Sequence, residues 1–245
     1  MQSIRLIVLD IDGVLTGGET HALDLSLLQY LAQLNRASRT NVHQPAVTIC
    51  SGRPAPYVEA LLQGMDGHVP AVFENGAGLY VPKGYQFLPH PDMLENSHIH
   101  AVRQRLGETV VREGLAYFQP GKDYSLSLFA YQPADTHQLK GWVETALGSL
   151  TMTVDLVYSV SCLNILPKGS NKAKGVEFLA ASTGVRLEEM LGVGDSEVDL
   201  EFLRRVGYRA APENAVKAVK EVVDYVSPFQ TGEGVRDILT HFGIS

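Results

Sequence analysis

A chain of 245 residues is long enough for one large α/β domain or two smaller ones, each with a real core. Its composition, 45% hydrophobic and 19% charged, is that of a globular protein and sets aside the disordered and fibrous classes. The formal net charge of −7, with no long Lys/Arg run, argues against general affinity for nucleic acid or anionic membrane, so a phosphate-bearing ligand must be met by local positive charge.

The two cysteines, Cys50 and Cys162, form no CxxC and no metal-type spacing, which fits a reducing compartment and sets the expectation of a cytoplasmic protein. The apolar run near the N-terminus is cut by Asp10 and Asp12 before a signal-peptide core or a membrane span could form, and no later stretch is long enough to span.

In chain order, Leu6 to Leu9 is a continuous apolar run, the pattern of a strand buried on both faces of a parallel sheet. It stops at Asp10 and Asp12, followed by Gly13, where the chain can turn. The pair reads either as turn-forming aspartates or as chemistry placed beyond the carboxyl end of a strand, where open α/β sheets bind ligands. Leu23, Leu27, Leu28, Leu31 and Leu34 fall on one helical stripe. A second buried strand, Ala46 to Cys50, ends at Ser51-Gly52-Arg53-Pro54, and a helix should open over Tyr57 to Leu62. Ser51 then reads as a helix N-cap, which is compatible with an anion site at the same place. Ala71 to Phe73 is a third short strand, and Asn75-Gly76 before Leu79 to Val81 has the look of a hairpin turn. The order so far is a doubly wound α/β start.

The rhythm changes after Pro82-Lys83-Gly84. A polar helix near Asp92 to Arg112, strands at Leu115 to Gln119 and Tyr124 to Tyr131, a helix around Thr136 to Leu147, and strands at Thr151 to Val157 and Cys162 to Leu166 make an α+β layout with an antiparallel sheet. Residues 84–167 therefore read as an inserted domain, with 1–83 and 168–245 forming the core. His98 and His100, two apart on a helix, point to different faces and read as solvated side chains. The core pattern resumes with a helix over Asn171 to Ala181 and a strand at Met190 to Val193 that runs into Gly194-Asp195-Ser196-Glu197-Val198-Asp199. A helix continues over Leu200 to Arg205. Val206 to Ala210 and Val222 to Val226 are late short strands, with helical turns at Ala215 to Lys220 and Gly234 to His241.

In one parallel sheet these strands would gather Asp10, Asp12, Ser51, Lys172, Asp195 and Asp199. Four carboxylates at one sheet edge repel one another strongly without a cation, and a hard, oxygen-only donor set points to Mg²⁺. Lys172, Ser51 and neighbouring backbone N–H groups would supply donors to the remaining phosphate charge. Such a site performs phosphoryl transfer by positioning and electrostatics, and a carboxylate can serve as its nucleophile.

The segments D-I-D-G-V-L-T, S-G-R, K-G-S-N-K-A-K-G and G-D-S-E-V-D resemble, in order, the four motifs of the haloacid dehalogenase superfamily. The long insertion between the second and third, with E-N-G before it and E-N-A, D-Y-V and G-E-G-V after the fourth, resembles the Cof-type branch with an α/β cap, and within it phosphoglycolate phosphatases of the archaeal type. The resemblance implies a Rossmann-like doubly wound parallel sheet with an inserted α+β cap. It makes Asp10 the nucleophile and Asp12 the acid and then base. Mg²⁺ would be held by Asp10, the Asp12 backbone carbonyl and Asp195, with Asp199 binding directly or through water. Ser51, Gly52 and Lys172 would hold the phosphoryl oxygens. Asn214 matches a position that often approaches the phosphate, beside its reading as a turn or N-cap residue; Arg53 reads as a structural or rim charge.

One departure from the branch is Val198, where an Asn usually stands. The activity implied is Mg²⁺-dependent hydrolysis of a small phosphorylated metabolite, a sugar phosphate or a phosphoglycolate-like acid, through an aspartyl phosphate, by a monomer or small homo-oligomer. The alternatives are a phosphomutase of the phosphomannomutase type and a catalytically weakened ligand-binding relative. Tyr85, Phe118, Tyr124, Tyr131 and Asn164 are the candidate readers of the leaving group.

Overall fold

Alternation of short buried strands with amphipathic helices produces a parallel sheet in this chain. The structure, a computed structural model, describes residues 3–96, 98–159 and 161–244. Strands β1 (Leu6–Leu9), β2 (Ala46–Ile49), β10 (Met190–Val193), β11 (Tyr208–Ala211) and β12 (Tyr225–Val226) lie in the order β12-β11-β10-β1-β2, and every neighbouring pair is parallel. All four residues of β1 are buried, as a central strand covered on both faces requires.

Side chains alternate across β1. Leu6 and Val8 join one apolar cluster with Ala173, Val176 and Leu179 of α6 (Lys172–Thr183) and Phe202 and Leu203 of α7 (Leu200–Leu203). Helix α1 (Leu25–Ser38) buries Leu27, Leu28, Leu31 and Leu34 of the expected stripe. Asp24 caps it, accepting from the Ser26 and Leu27 amides. Leu23 lies before the cap and is part-exposed. Helices α8 (Lys217–Lys220) and α9 (Thr231–His241) complete the C-terminal part.

Helix α2 (Ala55–Gly64) begins after Pro54, with no side-chain cap, so the expectation that Ser51 caps it is corrected. Pro56, in the first turn, already lacks one of the amides that a cap would satisfy. Strand β3 (Ala71–Phe73) does not extend the parallel sheet as a full strand. It meets β2's end through a single parallel bridge, Cys50 to Val72, and pairs antiparallel with β4 (Gly78–Val81), which neighbours β5 (Gln86–Pro89). The hairpin expected around Asn75-Gly76 forms, but through a 3-10 turn, Glu74–Gly76, with left-handed φ at all three residues.

The chain divides into two compact units, Met1–Leu88 with Asn171–Ser245, and Pro89–Ser170. Both boundaries fall later in the chain than the expected 84 and 167, the first because residues 86–89 pair as β5. The second unit contains α3 (Pro91–Asn96), α4 (Ile99–Leu106), β6 (Ala116–Phe118), β7 (Leu126–Ala130), α5 (Leu139–Leu147), β8 (Val154–Tyr158) and β9 (Leu163–Pro167). Its sheet, in the order β6-β7-β9-β8, is antiparallel throughout, as the sequence pattern predicts. One face supplies Leu126, Leu128 and Ile165 to a core shared with Val102 of α4 and Val143 of α5. Among the described residues no helix is long and apolar enough to cross a membrane.

Candidate active site

The carboxyl ends of β1 and β10 are adjacent, and this register places Asp10 beside the segment that starts at Gly194. The Asp10 amide donates to the Val193 carbonyl at 3.0 Å, so Asp10 is still tied to the sheet. After it the chain closes a tight turn, with the Val14, Leu15 and Thr16 amides all converging on the Ile11 carbonyl at 2.8–3.2 Å. Gly13 has a φ of +85°, and a Cβ there would stand 2.0 Å from Asp195 Oδ2. The turn can press against Asp195 only because residue 13 has no side chain.

Lys172 opens α6, whose N-cap Asn171 accepts from the Lys174 amide at 3.0 Å. Helix α6 reaches the sheet edge by passing the Glu74–Gly76 turn so closely that a Cβ on Gly76 would meet the Asn171 carbonyl oxygen at 2.1 Å and one on Gly175 would meet the Gly76 Cα at 2.6 Å. The Lys172 ammonium then lies 2.8 Å from Asp10 Oδ1 and 2.6 Å from Asp199 Oδ1, with its side chain only 2% exposed. Asp199 Oδ2 accepts from the Asp195 amide (3.1 Å), the Ser196 amide (3.0 Å) and the Ser196 hydroxyl (2.9 Å). Both Asp199 oxygens are therefore occupied by protein donors.

Asp195 differs, because its Oδ1 is buried and has no hydrogen-bond partner. Carboxylate oxygens of Asp10, Asp195 and Asp199 all lie within 4.8 Å of one another. Burial pushes Asp195 up to about 7, with the Asp199 charge adding to the push and Lys172 opposing it. Asp10 is also held well above the usual carboxylate range, first by burial and then by Asp199, against the pull of Lys172. Burial alone would lower Lys172, but Asp10 and Asp199 hold it above the ordinary lysine range, so the ammonium stays protonated. Three carboxylates against one ammonium leave an excess of negative charge, and an orphaned oxygen faces it. That donor set, oxygen only and clustered within a few ångströms, fits a small hard dication.

On the β2 side, Ser51 is buried, and its amide donates to the Val72 carbonyl at 3.1 Å while its carbonyl accepts from the Asn75 amide at 3.0 Å. Its hydroxyl accepts from the Arg53 amide at 3.2 Å. A Cβ on Gly52 would come within 2.9 Å of Asn75 Oδ1, so this loop is packed down on the Glu74–Gly76 turn.

The structure thus brings Asp10, Lys172, Asp195 and Asp199 into one group, buried except for part of Asp195. The Asp12 carboxylate is not part of it; both its oxygens accept from the Arg53 guanidinium, from Nε at 2.7 Å and Nη2 at 2.6 Å. Asn214 uses both ends of its side chain on the protein, donating to the Gly13 carbonyl at 2.8 Å and accepting from the Thr231 amide at 3.0 Å. The geometry thus favours its reading as a turn brace over that of a phosphate donor. Arg53, whose sequence reading is a structural or rim charge, makes a bidentate ion pair with a candidate acid. The S-G-R spacing carries that signal only once the Asp12 turn is known to lie across from it. Ser196 is a second residue that the sequence alone did not single out.

Comparison with known proteins identifies the family and the fold. Residues 115–239, more than half of the chain, match the model of the haloacid dehalogenase-like hydrolase family. The chain is 28% identical over 239 residues to the phosphoglycolate phosphatase of Methanothermobacter thermautotrophicus, covering 98% of this chain and 99% of that protein. Its fold is similar to that of a crystallised protein of Thermoplasma acidophilum, with a TM-score of 0.79 at 22% identity, covering 99% of this chain and 100% of the other. It is also similar to a haloacid dehalogenase-like hydrolase of Bacteroides thetaiotaomicron, with a TM-score of 0.78 at 20% identity, covering 98% and 99%. With the ordered motifs, the parallel sheet that gathers them and the family match in agreement, the chain belongs to the haloacid dehalogenase-like hydrolases.

Proposed function

We propose that this hydrolase is a Mg²⁺-dependent phosphatase of a small phosphorylated metabolite, working through an aspartyl phosphate on Asp10. The observation that carries the reading is the buried Lys172 ammonium held between Asp10 and Asp199, beside the unpartnered Asp195 oxygen. A lysine so placed leaves the other Asp10 oxygen for attack and offers a positive charge to a phosphoryl oxygen.

Asp10, Asp195 and the Asp12 main-chain carbonyl are the groups that would hold the cation. Asp199, with both oxygens engaged, orients Lys172 and the 195–196 amides from behind. When bound, Mg²⁺ neutralises charge on the phosphoryl group and on the carboxylates. The Asp10 carboxylate attacks phosphorus, the bond to the leaving oxygen breaks, and Asp12 gives that oxygen its proton. Water then attacks the phosphorus of the aspartyl phosphate and passes its proton to Asp12. The Asp10–phosphorus bond breaks and inorganic phosphate is released. Ser51 and Gly52 border the phosphoryl site, and Asn214 braces the Asp12–Gly13 turn.

For the substrate, the M. thermautotrophicus relative supports phosphoglycolate or a similar phosphorylated acid, with a sugar phosphate as the other member of the class. Phosphate release from a panel of phosphorylated acids and hexose phosphates tests the reading, in Mg²⁺ or EDTA, beside an Asp10→Asn control. Turnover that requires Mg²⁺ and vanishes in the control is expected. Release that survives EDTA or Asp10→Asn would refute it.

A further inference from the structure

We infer that Arg53 is a positioning residue that fixes the direction of the Asp12 carboxylate and ties it to the Ser51 segment, so that it acts on turnover through Asp12. The inference rests on the phosphatase reading above. Among the described residues Arg53 is the only hydrogen-bond partner of the Asp12 carboxylate, whose side chain is 35% exposed. A carboxylate that exposed has little else to keep it in one rotamer. The two bonds run from Nε and Nη2 to separate oxygens, which sets the plane of the carboxylate as well as its position.

Arg53 is itself anchored. Its side chain is only 13% exposed, and the guanidinium lies 4.9 Å from the centroid of the Tyr57 ring. Its amide is held by the Ser51 hydroxyl at 3.2 Å, and its carbonyl accepts from the Glu74 amide at 3.1 Å. Glu74 and Asn75 have φ of +49° and +57°, a conformation that persists only where the surroundings enforce it. The fork that grips Asp12 therefore belongs to the same braced loop that presents Ser51. The phosphate-side hydroxyl and the acid on the leaving-group side are set by one device.

The chemistry makes this testable by leaving group. An alkoxide needs the proton that Asp12 delivers, whereas p-nitrophenolate leaves readily without it. Arg53→Met and Arg53→Lys, alone and with Asp12→Asn, are compared with the wild type on an alkyl phosphate and on p-nitrophenyl phosphate, following release of the leaving group in a single turnover with Mg²⁺. Arg53→Met is expected to slow the alkyl substrate about 10- to 100-fold, part of the range of general-acid catalysis, and the aryl substrate by no more than about threefold. Arg53→Lys, a point charge without the fork, should recover the loss only in part. In the Asp12→Asn background Arg53→Met should add little.

Equal losses on both substrates, full rescue by lysine, or losses that add in the double variant would overturn the inference. If Arg53→Met fails to fold by thermal melt, the lysine variant and its double carry the same comparison. No release by the wild type would refute the phosphatase reading itself. Release with leaving-group-blind, additive losses would refute only the role of Arg53.

Discussion

Replacing Asp195 by asparagine separates the electrostatics of this site from its packing. The folded protein holds Asp195 at about 7, against roughly 3.9 for an aspartate in an unfolded chain. Between those values the native state keeps a proton that the unfolded state has lost, so the contribution is fully present below about pH 4 and is lost as pH rises through 7. Each pH unit in that window is worth about 1.4 kcal/mol, and from pH 5 to pH 8 the metal-free wild type should lose about 2–3 kcal/mol that Asp195→Asn keeps. Asp195 is partly exposed, which places the expected value at the lower end of that range. Urea melts in EDTA at the two pH values measure it. In millimolar Mg²⁺ the order should reverse, because the wild type gains binding energy and the variant, lacking one cation ligand, does not. A stability difference that is the same at both pH values, or equal stabilisation of both proteins by Mg²⁺, would refute the argument that Asp195 carries uncompensated charge awaiting a cation.

Lys172→Met should destabilise the metal-free protein by about 3–5 kcal/mol, since it strands the Asp10 and Asp199 carboxylates in the interior, and should abolish turnover; chemical melts and phosphate release read the two effects. Gly13→Ala forces a side chain into a φ of +85° and onto Asp195, for which about 2–3 kcal/mol of destabilisation and a large loss of activity are expected by the same measurements. Val198→Asn should lower the Mg²⁺ concentration for half-maximal activity in a metal titration, and an unchanged midpoint would show that position 198 does not reach the metal shell.

The parallel core was legible because its strands announce themselves as short apolar runs that end in Asp10, Ser51 and Asp195, with helical stripes between them. The antiparallel insertion was legible from the change of rhythm after Pro82-Lys83-Gly84, although the alternation of Tyr124 to Tyr131 suggests a half-exposed strand and β7 is buried at four of its five residues. What escaped is tertiary. Ser51 reads as a cap by local rules, but Pro54 starts the helix, and the serine is used by the Glu74–Gly76 turn instead. The role of Gly175 follows from the approach of α6 to Gly76, a contact between segments a hundred residues apart in sequence. Arg53 and Asp12 are each ordinary in their own segments; only the adjacency of β1 and β2 makes them a pair.

The valine at 198 marks a departure from the branch that this sequence otherwise resembles, and the structure supplies a reason why it need not undo the site. Asp199 is oriented by its own turn: the Asp195 and Ser196 amides and the Ser196 hydroxyl fix one oxygen, and Lys172 fixes the other. None of these four bonds uses the side chain of residue 198. The hydrogen bonds that hold Lys172 against Asp10 and Asp199 are therefore independent of the substitution. A decayed, ligand-binding relative would have no use for three clustered carboxylates with one ammonium paired to two of them, because without a cation to complete it that cluster costs stability. Retention of such an arrangement, unfavourable alone and favourable once metal and phosphate are bound, is what a working phosphoryl-transfer site requires.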